Sequence, residues 1–274
     1  MQEQDGSGKC AVKIAVCGKG GVGKTFIAGS LAEEFFRQGR AVLAIDADSS
    51  PNLALTLGLS PQDAQAIVPV AENEELIRLK TGTSYAGVFR LTFTVDDIIA
   101  DHAKATPAGP GLLVMGTVRT MGSGCTCPAH SVIKALVRHL IVERDEVVIL
   151  DMEAGIEHLG RGTAEGVDTL LVVTDANKKS RETASAIIRL ARASSIRDIR
   201  LAGNRVTGDR DAGAIRSCAD ENGVPVGILI PFDPVVAEAG ITGEPVARDG
   251  SGALAAIETL AKTLAGDSAP GAGP

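Results

Sequence analysis

The sequence predicts an α/β protein with a mostly parallel sheet and helices on both of its faces. Short apolar runs alternate with amphipathic segments along the 274 residues, which is typical of strands joined by crossover helices. Runs such as 41–45 and 147–150 are apolar without alternation, as expected for strands buried on both faces. A glycine-rich run at 18–25 lies between a predicted strand and a predicted helix.

The elements follow from these patterns. Residues 180–193 place apolar side chains at the i, i+3, i+4, i+7 spacing of one buried helix stripe, and 131–142 behaves similarly. Further helices are expected at 25–38 and near 95–105, within a less regular insertion at 60–110. The predicted strands are 12–17, 41–46, 111–116, 146–151, 169–174, 199–204 and 226–231. We expect one domain over residues 1–266 and a disordered tail, rich in Gly, Ala and Pro, over 267–274.

The glycine-rich run fits the pattern G-x-x-x-x-G-K-[ST] of a phosphate-binding loop. Glycines let the backbone amides approach a polyphosphate, the lysine reaches the β- and γ-phosphates, and the threonine hydroxyl ligates Mg²⁺. A ligand-free glycine turn is the alternative, but the strand before the run and the helix after it favour phosphate binding. The sheet is therefore predicted to be that of a P-loop NTPase. The residues concerned are Gly18, Lys19, Gly20, Gly21, Val22, Gly23, Lys24 and Thr25, followed by Phe26 at the nucleotide.

Composition excludes several classes of function. The net charge is −7 and the pI is about 5.2, which argues against a general nucleic-acid binder or adhesion to anionic lipid. The polar N-terminus lacks a signal peptide, and no apolar run is long enough to span a membrane. The odd count of five cysteines favours reduced thiols or metal ligands. We expect a cytoplasmic protein with no nucleic-acid or membrane partner.

Carboxylates follow two of the predicted strands. Asp46 and Asp48 come after 41–45, and Asp151 comes after 146–150. Ligands of open parallel sheets bind at the carboxyl ends of the strands, where an acid can hold Mg²⁺ or orient the attacking water. Capping of the next helix is the other common use of such residues. We predict that Asp46 and Asp151 serve Mg²⁺, directly or through water, and that Asp48 positions the water.

Lys19 directly follows the first glycine, where a phosphate cradle does not require a lysine. The loop resembles the deviant P-loop of the MinD/ParA/nitrogenase-iron-protein class of dimerising ATPases. The resemblance implies that Lys19 crosses to the ATP of a partner protomer, and that Lys19, Lys24 and Asp48 are catalytic. It also implies adenine contacts, which would come from Asn204, Arg205, Pro231, Phe232 and Asp233.

Cys125 and Cys127 form a Cys-x-Cys pair just before a predicted helix. In an extended segment, residues i and i+2 point to the same side, so both sulfurs can approach one ion. Two thiolates leave a soft divalent ion under-coordinated, whereas two copies of the pair in a symmetric dimer would supply four sulfurs. A pair of buried, unliganded cysteines is the alternative.

The stretches 114–118, 122–128 and 151–162 resemble the CooC-type maturation factors. These are nickel-binding ATPases that serve carbon monoxide dehydrogenase and, in a related branch, acetyl-CoA synthase. The resemblance implies a homodimer bridged by ATP, Mg²⁺ and a Ni²⁺ (or Zn²⁺) ion on Cys125 and Cys127. His130 and His158 are possible additional contributors, while His102 and His139 are assigned to the surface.

Two other functions remain open from the sequence. A MinD/ParA-like positioning ATPase without a metal role would need an amphipathic membrane helix or a basic DNA-binding face. An iron–sulfur protein like the nitrogenase iron protein would need differently spaced cysteines. The metal-loading ATPase is the prediction that we carry forward.

Overall fold

The computed structural model describes residues 11–48, 50–82, 94–116, 127–142, 146–153, 166–194, 196–244 and 246–267. Within them the chain forms one eight-stranded sheet. The strands are β1 (Lys13–Gly18), β2 (Val42–Ala47), β3 (Lys104–Ala105), β4 (Gly111–Val114), β5 (Val147–Met152), β6 (Thr169–Thr174), β7 (Asp198–Val206) and β8 (Val226–Pro231).

Their spatial order is β3-β4-β2-β5-β1-β6-β7-β8. Every pairing is parallel except that of the two-residue edge strand β3 with β4. The predicted α/β class and all seven predicted strands are confirmed, whereas β3 was not predicted. Strands β1, β2, β5 and β6 are buried along their whole length, which explains why they lack apolar alternation.

Helices connect successive strands, two more follow β8, and helices pack on both faces of the sheet. They are α1 (Lys24–Arg37), α2 (Leu53–Thr56), α3 (Pro61–Gln65), α4 (Glu74–Thr81), α5 (Asp96–His102), α6 (Cys127–Val142), α7 (Lys178–Ala193), α8 (Asp209–Glu221), α9 (Pro234–Thr242) and α10 (Gly252–Asp267), with a 3-10 helix at Val70–Glu72. The predicted helices at 25–38, 131–142, 180–193 and near 95–105 correspond to α1, α6, α7 and α5. The expected tail begins at residue 267, but Asp267 is the last residue of α10; residues 268–274 lie outside the described residues.

Two apolar cores lie on opposite faces of the sheet. One contains side chains of α5, α6, α7 and α8, and the other contains side chains of α1, α2 and α10. The surface assignment of His139 is wrong, because α6 buries it to 9% exposure, with Nε2 3.2 Å from the Asp96 Oδ1 of α5. Every helix of the described residues is too short or too polar to cross a lipid bilayer.

This topology positions the site. In a parallel sheet the chain leaves every strand at the same edge, so the loops after β1, β2, β4, β5, β6 and β7 all begin at the carboxyl edge. The phosphate loop, both acidic strand ends and the segment that leads to the cysteine pair begin there. The strand order also puts β1 next to β5 and β5 next to β2, which brings the predicted Mg²⁺ residues close to the loop.

Candidate nucleotide and metal site

The phosphate loop joins β1 to α1 by a turn that requires glycine. Gly18 ends β1 at φ 149°, and a Cβ there would lie 2.3 Å from the carbonyl oxygen of Val173 in β6. Gly23 precedes α1 in the left-handed region at φ 95°. Because side chains are excluded or strained at these positions, glycine at both ends lets the loop turn tightly between strand and helix.

The first turn of α1 has backbone amides without a side-chain cap. Its N-cap, Gly23, has no side chain to offer, and no acidic residue lies in the first turn. By contrast, Asn73 caps α4 and Asp233 caps α9 through side-chain hydrogen bonds. Open amides at the positive end of a 14-residue helix favour an anion. This arrangement fits a bound phosphate group.

Lys24 is the first residue of α1 and is buried to 7% exposure. Its Nζ lies 3.9 Å from Asp48 Oδ2, which is beyond hydrogen-bond distance. The structure therefore brings together the predicted phosphate-binding lysine and the predicted water-positioning carboxylate. A buried ammonium that is only loosely paired retains its capacity to bind an anionic ligand.

Lys19 is half-buried. It lines a cavity of about 470 Å³ together with Lys178 and Lys179 from the start of α7. Sequence reasoning missed these two lysines. The signal available was their position at the start of the helix that follows β6, a strand that ends at the same edge as the phosphate loop.

The two predicted magnesium carboxylates are neighbours in the sheet, because Asp46 of β2 pairs in register with Asp151 of β5. Both are completely buried. Asp46 accepts hydrogen bonds from two backbone amides, that of Asp48 at 3.1 Å and that of Leu53 at 2.9 Å. Burial raises the pKa of Asp46, and these hydrogen bonds oppose the rise. Asp46 thus holds the loop after β2 against the sheet.

Asp151 has a different environment. Among the described residues, neither of its carboxylate oxygens has a hydrogen-bond partner. Burial raises its pKa to about 7; the nearby Thr25 hydroxyl and Lys24 ammonium lower it, and the charge of Asp46 adds to the rise. A buried carboxylate without a partner is costly, and a cation close by would remove that cost.

These residues fit a magnesium ion that accompanies a nucleotide. Asp151 lacks a hydrogen bond of normal geometry, but the Thr25 hydroxyl is near enough to lower its pKa, and oxygen ligands of this kind suit Mg²⁺. Asp46 lies in the next strand with both oxygens already bonded to amides, which leaves it fewer free lone pairs than Asp151. When bound, Mg²⁺ would neutralise charge on the β- and γ-phosphate oxygens.

A cleft of about 400 Å³ lies beside the loop, between the ends of β7 and β8 and helix α9. It brings together all the residues that the resemblance assigns to the base. Phe232 is 49% exposed there, and Asn204 is 5% exposed. The lining includes Phe26, Asn204, Arg205, Pro231, Phe232 and Asp233.

Asp233 lines this cleft, but its side chain also has a structural role. Oδ1 accepts from the Val235 amide at 2.9 Å, and Oδ2 accepts from Ser251 Oγ at 2.6 Å and the Ala253 amide at 3.1 Å. The hydrogen bond from Ser251 is the main cause that lowers the pKa of Asp233. Asp233 therefore joins the starts of α9 and α10, an arrangement that the sequence did not indicate.

The cysteine pair lies at the limit of the described residues. Cys125 and His158 are outside them, and Cys127 is the first residue of α6, three residues before the exposed His130. No cluster of three or more His, Cys, Asp or Glu side chains suited to a metal occurs within the described ranges. The start of α6 follows β4, and α6 leads into β5, a parallel neighbour of β2. The helix therefore begins at the carboxyl edge of the sheet.

The fold and this site define a P-loop ATPase. A model of the CobQ/CobB/MinD/ParA nucleotide binding domain matches residues 13–246, and the chain belongs to that family. A ParA family ATPase from Chlorobium tepidum has the same fold, with a TM-score of 0.67 and 19% identity over 92% of this chain and 98% of that one.

Two relatives are more similar in sequence. The carbon monoxide dehydrogenase accessory protein CooC of Rhodospirillum rubrum is 42% identical over 257 residues, which cover 89% of this chain and 95% of CooC. An uncharacterized ATP-binding protein of Methanocaldococcus jannaschii is 40% identical over 245 residues, which cover 88% of this chain and 93% of the relative.

Proposed function

We propose that this ATPase is a dimerising metallochaperone that inserts nickel into carbon monoxide dehydrogenase or acetyl-CoA synthase. The observation that carries the proposal is the 42% identity to a carbon monoxide dehydrogenase accessory protein over 89% of this chain. The Cys-x-Cys pair supports it, because thiolates are ligands that soft divalent ions accept.

The position of α6 supports a link between nucleotide and metal. The chain enters the cysteine segment from Gly116, whose amide donates to the carbonyl oxygen of Asp46 at 3.3 Å. It leaves the segment at Cys127, the first residue of α6. Both attachment points lie at the edge of the sheet that carries Asp46 and Asp151. A shift of the backbone at the nucleotide site would therefore be passed to the cysteines through a short segment of chain.

Dimerisation completes both parts of the proposed site. Each Cys125–Cys127 pair supplies two sulfurs, so that two protomers supply the four that a tetrahedral or square-planar ion requires. Each Lys19 would bind phosphate of the ATP held by the partner and supply the charge that an arginine finger supplies elsewhere. Lys24 would hold the phosphates within its own protomer, and Asp48 would orient the attacking water.

Hydrolysis would then remove the charge that attracts Lys19 and loosen the dimer, which would release nickel to its client. Nickel, or zinc at the same thiolates, is the cargo of this cycle, while Mg²⁺ is its cofactor. We place the cycle in the cytoplasm, with the client enzyme as partner and without nucleic acid or membrane.

A MinD/ParA-like positioning role is the second candidate, and the family match favours it as a class. Helix α10 is where an amphipathic membrane contact would be expected, but its apolar residues, among them Leu254, Ile257 and Leu260, are buried against the core. They are unavailable to lipid in this fold. Co-sedimentation with anionic liposomes or with DNA would support the positioning role if binding required ATP.

The proposal is tested by nickel titration and mass measurement of the assembly. With Mg²⁺ and ATP we expect a dimer that holds one Ni²⁺, and we expect Cys125→Ser/Cys127→Ser to lose the ion. Cys218→Ser is the matched control, because Cys218 is buried and contacts the Arg181 carbonyl of α7, and its loss should leave nickel bound. Stoichiometric nickel in the double variant would contradict the proposal.

A further inference from the structure

Asn204 contacts the phosphate loop directly. Its Nδ2 donates a 2.8 Å hydrogen bond to the carbonyl oxygen of Val22, 182 residues away in the sequence, in a buried environment. Its Oδ1 accepts from the Arg205 amide at 2.9 Å. Arg205 has φ 57°, and it is the one non-glycine residue of the described chain with positive φ. The backbone thus bends directly after Asn204, whose side-chain amide contacts the loop.

The contact is closely fitted. A Cβ on Gly23 would lie 2.3 Å from Asn204 Nδ2, so the side chain rests on the glycine at the end of the loop. This gives a second reason for glycine at that position, besides its φ of 95°. Val22 is itself 1% exposed, and the hydrogen bond satisfies a carbonyl that would otherwise be buried without a partner.

We propose that Asn204 is a positioning residue for the phosphate loop, in addition to lining the base cleft. The carbonyl of Val22 and the amide of Gly23 belong to one planar peptide group and point in opposite directions. By holding that carbonyl, Asn204 fixes the orientation of the Gly23 amide, which is one of the loop amides that the P-loop motif directs at phosphate. Without the hydrogen bond, the peptide group between the two residues is free to rotate.

The Asn204 side chain can both position the loop that binds the phosphates and contact the base. An asparagine amide has two N–H donors and an oxygen with two lone pairs, of which the contacts with Val22 and Arg205 use one donor and one lone pair. The remaining donor and lone pair are available in the cleft. Because the contact with Val22 acts on the phosphate loop, the binding affinity of a ligand that has phosphates but no base should also depend on Asn204. This inference concerns the ATPase site alone and does not depend on nickel.

The test compares Mg²⁺-dependent binding of ADP with that of inorganic pyrophosphate, by titration calorimetry on the full chain. In Asn204→Asp the Nδ2 donor becomes an oxygen that faces the Val22 carbonyl. The loss of one buried hydrogen bond predicts about a tenfold weaker affinity for pyrophosphate and at least the same loss for ADP. Asn204→Ser, whose hydroxyl is too short to reach Val22, removes the donor without adding a negative charge near the phosphates, so it should show the same loss of pyrophosphate affinity.

Asn222→Asp is the matched control. Asn222 Nδ2 also donates to a backbone carbonyl at 2.8 Å, that of Cys218 at the end of α8, but it has no contact with the loop. We expect Asn222→Asp to lower the melting temperature and to leave pyrophosphate affinity unchanged. The proposal is overturned if the Asn204 variants bind pyrophosphate as the wild type does while losing ADP, or if the control loses pyrophosphate equally.

Discussion

Buried charged side chains lie at both the amino edge and the carboxyl edge of the sheet, where the strands begin and end. The two edges differ in how completely the chain itself supplies hydrogen-bond partners to these charges. At the amino edge, Lys13 Nζ donates to the Glu146 carbonyl at 2.8 Å, and the Lys13 amide donates to Asp168 Oδ2 at 2.7 Å. Asp198 Oδ2 there accepts from Thr169 Oγ1 at 2.7 Å and from Arg200 Nε at 2.8 Å. These charged groups are satisfied by residues of the chain itself.

At the carboxyl edge, two of the buried charges are poorly satisfied. Asp151 is completely buried, and its oxygens have no hydrogen-bond partner among the described residues; Lys24 is 3.9 Å from Asp48 Oδ2. This difference indicates different roles for the two edges. Charges paired within the chain stabilise the fold, whereas incompletely paired buried charges need a ligand. Substitutions at the two edges should therefore have different consequences.

The largest difference is expected between two lysines. Lys19→Ala should lower kcat for ATP by about 1,000-fold, the scale of a removed arginine finger, with little change in melting temperature. Lys13→Met should do the reverse, because it removes the hydrogen bond to the Glu146 carbonyl at the edge away from the nucleotide. Steady-state hydrolysis and thermal unfolding of both variants measure this contrast. Full activity in Lys19→Ala would end the assignment of Lys19 to catalysis.

The next effect concerns Asp151. Asp151→Asn should lower Mg²⁺-dependent hydrolysis by about 10- to 100-fold, as expected for a group that holds a metal through its outer shell. The same variant should be no less stable than the wild type without nucleotide, because it removes a buried charge that lacks a partner. Hydrolysis at graded Mg²⁺ concentrations, together with unfolding, separates the two effects. An unchanged Mg²⁺ requirement would argue against the assignment.

Stability without nucleotide should depend on pH through the same residue. Folded Asp151 keeps its proton up to a pKa of about 7, whereas its ordinary pKa is 3.8. Between these values the folded state binds more protons, so that stability is greatest at low pH and falls as pH rises from about 4 to about 7. Relative to Asp151→Asn, the wild type should lose roughly 2–4 kcal/mol over this window. Parallel unfolding curves of the two proteins across pH would contradict this.

The smallest effect is expected for Asp198→Asn at the amino edge. It weakens an ion pair with Arg200 in which the side chains are 16% and 32% exposed, so the cost should be about 1 kcal/mol or less. Nucleotide affinity should not change. A loss of ATP affinity in this variant, measured by calorimetry, would show that the two edges are not independent.

Much of this arrangement is predictable from local sequence. The strands 146–151 and 169–174 are recognisable from their unbroken apolar runs. The phosphate loop is recognisable from glycines at fixed spacing. In each case the signal lies in residues that are neighbours in the sequence. The carboxyl-edge position of Asp46 and Asp151 follows from the parallel sheet alone. Their roles in binding remain predictions.

The features that were missed depend on distant residues. The hydrogen bond from Asn204 to Val22 spans 182 residues, and Asp233 bonds to Ser251 and Ala253 across a helix. His139 looked like a surface residue because its partner, Asp96, belongs to a different helix. The difference between Asp46 and Asp151 is likewise invisible in sequence, because it depends on which backbone amides face each carboxylate.

We propose that nucleotide and nickel bind at one edge of the sheet and in one dimer, which would couple their binding thermodynamically. The most direct measurement is the Kd for Ni²⁺ with and without saturating Mg²⁺ and a non-hydrolysable ATP analogue. We predict at least about fivefold tighter nickel binding with the analogue, with the difference lost in Lys19→Ala. The same Kd for Ni²⁺ in the presence and absence of nucleotide would contradict the account.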